Sequence, residues 1–184
     1  SAWKLLNDYE TYKELASLTK AKEAIDSACV NAATKDDAKT WMYKGRIYQD
    51  MYEHNLQTET DKLADITDAN KKIDTGYQNT KAGELEQAYA AYMKTKELDV
   101  KNSFKELNEK LSDCSRHFEN KGIANYNVRK FQEALPMFEK AMEINTLMGH
   151  TDTSNTNNAA VVAERSGNYE KAKKYYQKLV DIKY

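Results

Sequence analysis

The sequence contains few residues that interrupt helices. Its 184 residues include six glycines and a single proline, Pro136, whereas hydrophobic residues make up 40% and charged residues 31% of the chain. Glycine weakens a helix interior and proline breaks it, and Ala, Leu, Lys and Glu are among the best helix formers. This composition predicts a nearly all-helical protein.

Cysteine is also scarce. Cys29 and Cys114 are the two cysteines, and neither belongs to a Cys-x-x-Cys pair. Zinc binding and thioredoxin-type chemistry therefore have no support in the sequence. We interpret both as small buried hydrophobic residues. Their spacing in the sequence neither predicts nor excludes a disulfide between them.

The chain has no excess of charge of one sign and no long apolar run. Its formal net charge is −1, which differs from the basic surface of a nucleic-acid-binding protein. Its apolar stretches, such as 159–163, are far too short to cross a bilayer. We therefore expect neither a nucleic-acid partner nor membrane insertion. The sequence begins Ser-Ala-Trp-Lys without Met, so a previously cleaved export signal remains open.

Motifs that carry catalytic or metal chemistry are missing as well. There is no glycine-rich phosphate loop and no Gly-x-Ser-x-Gly elbow. The three histidines lack metal-ligand spacing: His54, His117 and His150. The acidic residues of one polar segment do not fit a calcium-binding loop: Asp61, Asp65, Asp68 and Asp74. We predict no enzyme activity, no cofactor and no metal.

A recurring pair of a small residue and an aromatic residue is what the chain does contain. The pattern Trp41-x-x-Lys44-Gly45-x-x-Tyr48 is followed by further pairs in which an aromatic residue stands four positions after an alanine. These pairs are Ala88/Tyr92, Ala134/Phe138 and Ala172/Tyr176. Two antiparallel helices approach closely only where one side of the contact is small, and an aromatic ring on the other side then fills the space. The pattern is typical of stacked helical hairpins.

These motifs resemble the tetratricopeptide repeat (TPR) family, whose repeat is about 34 residues long. The resemblance implies an all-α fold: an α-solenoid of antiparallel helical hairpins, a TPR-like superhelix, with an insertion inside one repeat. Lys44 and Lys121 depart from the pattern, since each stands where Leu is expected. The segments Ala-Lys-Thr-Trp-Met-Tyr-Lys-Gly and Gly-Asn-Tyr-Glu-Lys-Ala are similar to exported TPR proteins of the Bacteroides group. That similarity favours the periplasm or cell envelope of a bacterium over the cytoplasm.

We expect one TPR-like domain over 1–184. Its parts are a degenerate hairpin at 3–35, a repeat at 38–98 with an insertion at 55–83, and repeats at 102–145 and 153–184. The first helices are expected at 3–16, 19–33 and 39–54, and the later ones at 84–98, 102–126, 130–144 and 168–183. The insertion is polar, so we expect it to be mobile apart from a short helix within 61–73.

In TPR proteins the first helix of each repeat lines a concave groove that binds a peptide or a partner helix. The resemblance therefore implies a protein-binding scaffold whose groove is lined by the matching positions of this sequence. These are Tyr43, Arg46, Gln49, Asp50, Arg116, Glu119, Asn120, Ile123, Tyr126, Asn127, Asn157, Asn158, Val161 and Arg165. Asn amides can bind a peptide backbone, and Arg can hold a carboxylate.

Two alternatives and one further expectation remain. One alternative is that the array is a helical accessory domain of a larger envelope enzyme or glycan-uptake assembly. The other is that the chain is an enzyme that uses Asp65 or Asp68 of the insertion. The last helix carries apolar residues around much of its circumference, and Tyr169, Tyr176 and Val180 are among them. We therefore expect either further repeats after it or self-association through it.

Overall fold

A computed structural model describes residues 1–182 of the chain. Within these residues the protein is all-α, with nine helices and no strand, as the sequence predicts. The helices are α1 (Ala2–Tyr12), α2 (Leu15–Val30), α3 (Ala38–Asp61), α4 (Ala69–Asn79), α5 (Gly83–Leu98), α6 (Leu107–Asn127), α7 (Phe131–Leu147), α8 (Thr153–Arg165) and α9 (Tyr169–Asp181). Helix α1 packs on α2, α7 on α8, and α8 on α9, as the antiparallel neighbours of an α-solenoid do. No helix in the described part of the chain has the length and hydrophobicity of a membrane span.

The chain divides into two compact units. Unit 1 comprises Ser1–Gln57 and Lys81–Leu111, and unit 2 comprises Thr58–Thr80 and Ser112–Tyr184. Unit 1 holds α1, α2, most of α3, and α5. Unit 2 holds α4, most of α6, and the α7, α8 and α9 helices.

The close helix contact predicted from the small-aromatic pattern is present in unit 1. Gly45 of α3 faces the ring of Tyr92 of α5, and a Cβ at Gly45 would lie 2.2 Å from Tyr92 Cε1. The Tyr92 ring is fully buried, and its hydroxyl donates to Gln49 Oε1 at 2.9 Å. Only glycine therefore permits α3 and α5 to approach this closely. Leu6, Leu18 and other buried side chains complete this core.

Unit 2 repeats the same arrangement. A Cβ at Gly122 of α6 would lie 2.9 Å from the ring of Phe138 of α7. The core continues through the contacts of α7 with α8 and of α8 with α9. Small residues dominate where α8 packs, and Ala159, Ala160 and Ala163 are all completely buried.

Several predicted helix limits are wrong. The second helix begins at Leu15 instead of Thr19, because α1 already ends at Tyr12 and the next residue, Lys13, adopts a left-handed conformation with φ 56°. The helix expected from Asn102 begins at Leu107. There the preceding chain turns, with φ 49° at Asn102 and the Phe104 N–H donating to Asp99.

The insertion also differs from its prediction. Helix α3 continues to Asp61, and the short helix expected within 61–73 is instead α4, at Ala69–Asn79. Asp68 fixes its start, because the Asp68 carboxylate accepts from the Lys71 N–H at 2.9 Å. Helix α4 packs on α6 through Tyr77, which is 5% exposed. The insertion is thus largely helical, and its expected mobility remains a prediction.

The last hairpin uses a different tyrosine from the one predicted. Tyr175 is buried and donates to Glu139 of α7 at 2.5 Å, whereas Tyr176 is 36% exposed and reaches Glu164 of α8 at 2.9 Å. Tyr169 and Val180 are 70% and 67% exposed. With Tyr176 they follow one face of α9, since their spacing of seven and four residues matches the helical repeat. The expected helix end at Lys183 lies outside the described residues.

Candidate functional site

A cleft of about 240 Å³ lies in unit 2 beside α6 and α8, above the first half of α7. It contains five of the residues that the TPR resemblance assigned to the groove. The full lining is Ile123, Tyr126, Phe138, Asn157, Asn158, Val161 and Val162.

The cap of α8 determines which of its side chains line the cleft. Asp152 Oδ1 accepts from the Asn155 N–H at 2.9 Å and fixes the first turn of the helix. Asn158 and Val161 then share one face at a spacing of three residues, and Asn157 lies beside them. The second turn of α8 thus carries two amides next to the apolar side chain of Val161.

The floor of the cleft is apolar and fixed. Phe138 is 2% and Val162 1% exposed, and both belong to the core of unit 2. The Phe138 ring is held against Gly122, so it cannot be moved without disturbing the contact between α6 and α7. Ile123 is 36% exposed at the side of this floor. An apolar group entering the cleft therefore meets a preformed surface.

The rim of the cleft is polar and aromatic. The guanidinium of Arg165 lies 5.9 Å from the centre of the Tyr126 ring, which packs 5.7 Å from the ring of Phe131. The side-chain amides of Asn157 and Asn158 are half-buried. Each carries a donor and an acceptor, which is the combination that a peptide backbone requires.

An acidic group lies close to this rim. Burial raises the pKa of the Glu119 carboxyl, the carboxylate of Asp152 raises it further, and a hydrogen bond from Asn155 partly offsets both effects. Asp152 is itself bound by Asn145 Nδ2 at 2.6 Å and by Asn155 Nδ2 at 2.8 Å. A raised pKa favours the protonated carboxyl, so Glu119 adds less negative charge beside the cleft than an exposed glutamate would.

The other predicted groove residues of unit 2 contact neighbouring side chains. Arg116 is paired with Asp113 at 2.9 Å. Asn120 donates to the Tyr77 hydroxyl at 3.1 Å, and Asn127 donates to Asp74 at 2.6 Å. Two of the groove asparagines thus hold helix α4.

The predicted groove residues of unit 1 also contact neighbouring side chains. Arg46 binds Glu10 of α1 at 2.5 Å and lies 5.9 Å from the Tyr43 ring. Gln49 is 3% exposed, and its amide accepts from Tyr92 and donates to Glu53. These polar groups already have partners within unit 1.

Asp50 is the most perturbed acid of unit 1. Burial raises the pKa of Asp50 to about 6, and the carboxylates of Glu53 and Glu10 contribute to the rise, against the opposing effect of Lys110 and Lys13. Its Oδ2 atom is buried and has no hydrogen-bond partner. No group of three or more His, Cys, Asp or Glu side chains in residues 1–182 is arranged to hold a metal ion.

The sequence did not assign Phe138 or Val162 to the cleft: Phe138 was expected to fill a helix contact, and nothing was expected of Val162. It also did not place α4 on α6. The N-cap signal of Asp68 and the spacing of Ile73 and Tyr77 four residues apart are features from which this helix was predictable.

No protein-family model matches the sequence, and no curated protein does either. Among solved structures, the fold is similar to the crystal structure of MamA protein, with 13% identity over 98% of this chain and 88% of that chain and a TM-score of 0.34. It is also similar to the crystal structure of BtubC from P. vanneervenii, with 15% identity over 96% of this chain and 74% of that chain and a TM-score of 0.37. Both scores are low, and we draw no argument about partners or activity from them.

Proposed function

We propose that this protein is a non-catalytic interaction scaffold of TPR type that binds a peptide segment of a partner protein in the cleft beside α6 and α8. The observation that carries the proposal is the combination in one cleft of a rigid apolar floor and two adjacent asparagines. The side-chain amides of Asn157 and Asn158 form no hydrogen bond with another described residue. Their amides are thus available to a ligand.

The cleft suits an extended peptide with one apolar side chain. That side chain would rest on Phe138 and Val162, and the peptide backbone on either side would bind the two asparagine amides. A basic peptide residue beyond it would face Glu119, and an acidic one would face Arg165. The proposed ligand is therefore a short apolar segment flanked by charges.

A random-peptide display selection tests the proposal. We expect the wild type to enrich sequences with a common apolar position, and Val161→Glu to lose their binding by about tenfold or more, because it replaces an apolar side chain of the cleft lining by a carboxylate. The matched control is Val128→Glu, at an exposed valine of the same unit outside the cleft. Equal binding by wild type and Val161→Glu would contradict the proposal.

We also propose self-association through the exposed face of α9 formed by Tyr169, Tyr176 and Val180. Contiguous exposed apolar side chains of this kind commonly mark an interaction site. Light scattering over a concentration series tests this, with Val180→Glu expected to remain monomeric at concentrations where the wild type forms dimers. A wild type that stays monomeric throughout would exclude it.

The location that we propose is the periplasm or another compartment of the bacterial cell envelope. Its support is the resemblance to exported TPR proteins. The precursor sequence tests it directly: an N-terminal signal segment agrees with export, and a start codon immediately before Trp3 contradicts it.

A further inference from the structure

A second cleft, of about 620 Å³, lies in unit 1 between α2, α3 and the start of α5, and we call it the unit 1 cleft. Its charged lining residues are Lys22, Asp26, Lys44 and Glu84. None of them is a groove position of the TPR resemblance, and α2 and α5 are the second helices of their hairpins. The volume of the cleft is in the range of pockets that hold small organic molecules.

The lysine that departs from the TPR pattern lies in this cleft. Lys44 stands where Leu is expected, and only 14% of its side chain is exposed. Its Nζ pairs with Asp26 Oδ1 at 3.2 Å and lies 5.6 Å from the Trp41 ring centre and 5.1 Å from that of Tyr48. An ammonium carries three N–H donors, and Asp26 accepts one of them. Lys44 therefore keeps donor capacity for a further oxygen.

A second lysine shares the same carboxylate. Lys22 Nζ donates to Asp26 Oδ2 at 3.3 Å, and the Tyr48 hydroxyl lies 2.8 and 2.7 Å from the two Asp26 oxygens, to which it donates. Burial alone would raise the pKa of the Asp26 carboxyl, but Tyr48 and the two lysines lower it. The carboxylate is thus ionised and already bound by three groups. Two ammonium groups share one negative charge, which leaves an excess of one positive charge beside the cleft.

Apolar surface lies next to this ammonium pair. The indole N–H of Trp41 donates to the Lys35 carbonyl at 2.6 Å, so the ring is fixed and its polar atom is already bound. Val30 is 80% exposed, and Cys29 is 8% exposed. Burial raises the pKa of the Cys29 thiol, so this side chain is uncharged at neutral pH. Together these three residues offer an apolar contact to a ligand in the cleft.

The charges of the lining limit the kind of anion that the cleft accepts. A carboxylate matches the single excess charge of the lysine pair, whereas a phosphate dianion exceeds it. Glu84 also lines the cleft, and its negative charge opposes a second negative charge on the ligand. The lining therefore favours a group with one negative charge.

We propose that the unit 1 cleft binds a small organic carboxylate, whose oxygens accept from Lys22 and Lys44 and whose apolar body rests against Trp41. The unit 1 cleft shares no residue with the cleft beside α6 and α8. The proposal therefore does not depend on the function proposed for that cleft.

Two probes that differ only in charge test the site: 4-phenylbutyrate and the uncharged 4-phenylbutanol. Trp3 is 50% exposed, and a Trp3→Phe background leaves Trp41 as the only tryptophan, so its fluorescence reports binding at the cleft. We expect a saturable change with 4-phenylbutyrate, and at least about tenfold weaker binding of 4-phenylbutanol, because only the carboxylate accepts charge-assisted hydrogen bonds.

Four variants in this background assign the charges. We expect Lys44→Met and Lys22→Met each to weaken 4-phenylbutyrate binding at least about fivefold. Glu84→Gln should strengthen it about twofold, since a repulsive charge is removed. The matched control is Lys39→Met: Lys39 is another lysine of α3, whose Nζ lies 5.8 Å from the Tyr43 ring centre, and it does not line the cleft. This control should bind as the parent does.

Equal binding of the acid and the alcohol would overturn the proposal, and so would parental affinity in both lysine variants. No saturable change up to about 10 mM 4-phenylbutyrate would also overturn it, since specific binding weaker than this has little meaning. Circular dichroism checks that each variant is folded, and Lys22→Met, at a side chain 35% exposed, is the less disruptive of the two. Phenyl phosphate that binds more tightly than 4-phenylbutyrate would contradict the preference for a single negative charge.

Discussion

Replacement of Gly45 by alanine should destabilise unit 1 strongly. The added Cβ would lie 2.2, 2.4 and 2.8 Å from three atoms of the Tyr92 ring. Ordinary van der Waals contact begins at 3.4 Å, so the ring or the helix must move by about 3.4 − 2.2 = 1.2 Å. The ring is completely buried, and its hydroxyl is bound to Gln49, which is itself 3% exposed. A shift therefore breaks a buried hydrogen bond as well.

The expected cost follows from these two effects. Overpacking a core costs about 1–3 kcal/mol, and loss of a buried hydrogen bond adds about 1 kcal/mol. We expect Gly45→Ala to lower the free energy of unfolding by about 3 kcal/mol. Gly122→Ala, with its Cβ at 2.9 Å from Phe138, should cost about 1 kcal/mol. Gly83→Ala has nothing within 4 Å of the new Cβ, and it should be neutral or slightly stabilising.

Urea unfolding measures these differences. The two tryptophans of the chain, Trp3 and Trp41, both lie in unit 1, so their fluorescence reports the unfolding of that unit, and far-UV circular dichroism reports both units. A Gly45→Ala protein within about 1 kcal/mol of wild type would refute the close-contact reasoning. The same conclusion would follow if Gly83→Ala proved the more damaging change.

Three further results are expected. First, the pKa of Asp50 is raised to about 6 from 3.8, so ionisation of this carboxyl destabilises the folded protein. The neutral carboxyl is fully present below pH 4, and the stability that goes with it is lost as pH rises through 6. Asp50→Asn should therefore flatten the pH dependence of unfolding between pH 4 and 7 by up to about 3 kcal/mol, and an unchanged pH profile would contradict the burial of this group. Second, Lys44→Met should lower the free energy of unfolding in urea by about 1 kcal/mol, because it removes the ion pair with Asp26 and the contact of the ammonium with the Tyr48 ring at 5.1 Å. If the same loss is measured in an Asp26→Asn background, the ion pair contributes nothing to stability. Third, Val180→Glu should abolish any concentration-dependent association seen by light scattering.

The sequence predicted the parts of the fold that depend on a local pattern. Gly45 facing Tyr92 and Gly122 facing Phe138 follow from the spacing of small and aromatic residues, since that spacing is imposed by the approach of two helices. The wrong helix limits have a common reason: they depend on turn conformations, such as the left-handed Lys13, for which the sequence has no glycine signal.

The site was less predictable than the fold. Repeat position alone led to Ile123, Tyr126, Asn157, Asn158 and Val161, which the structure brings together in one cleft. Their role in binding remains a prediction. Repeat position did not reveal that two other asparagines of α6, Asn120 and Asn127, form hydrogen bonds with the insertion helix α4. A contact between an insertion and the array depends on tertiary packing that no repeat pattern encodes.

The central claim is that the cleft beside α6 and α8 binds a peptide. The most direct measurement is an NMR titration of the ¹⁵N-labelled protein with the peptide that display selection enriches. We predict that the largest shift changes occur at Ile123 and Val161 and at the side-chain amides of Asn157 and Asn158, and that Val161→Glu removes them. Shift changes that cluster around Trp41 and Lys44 of unit 1, with none at the cleft, would contradict the account.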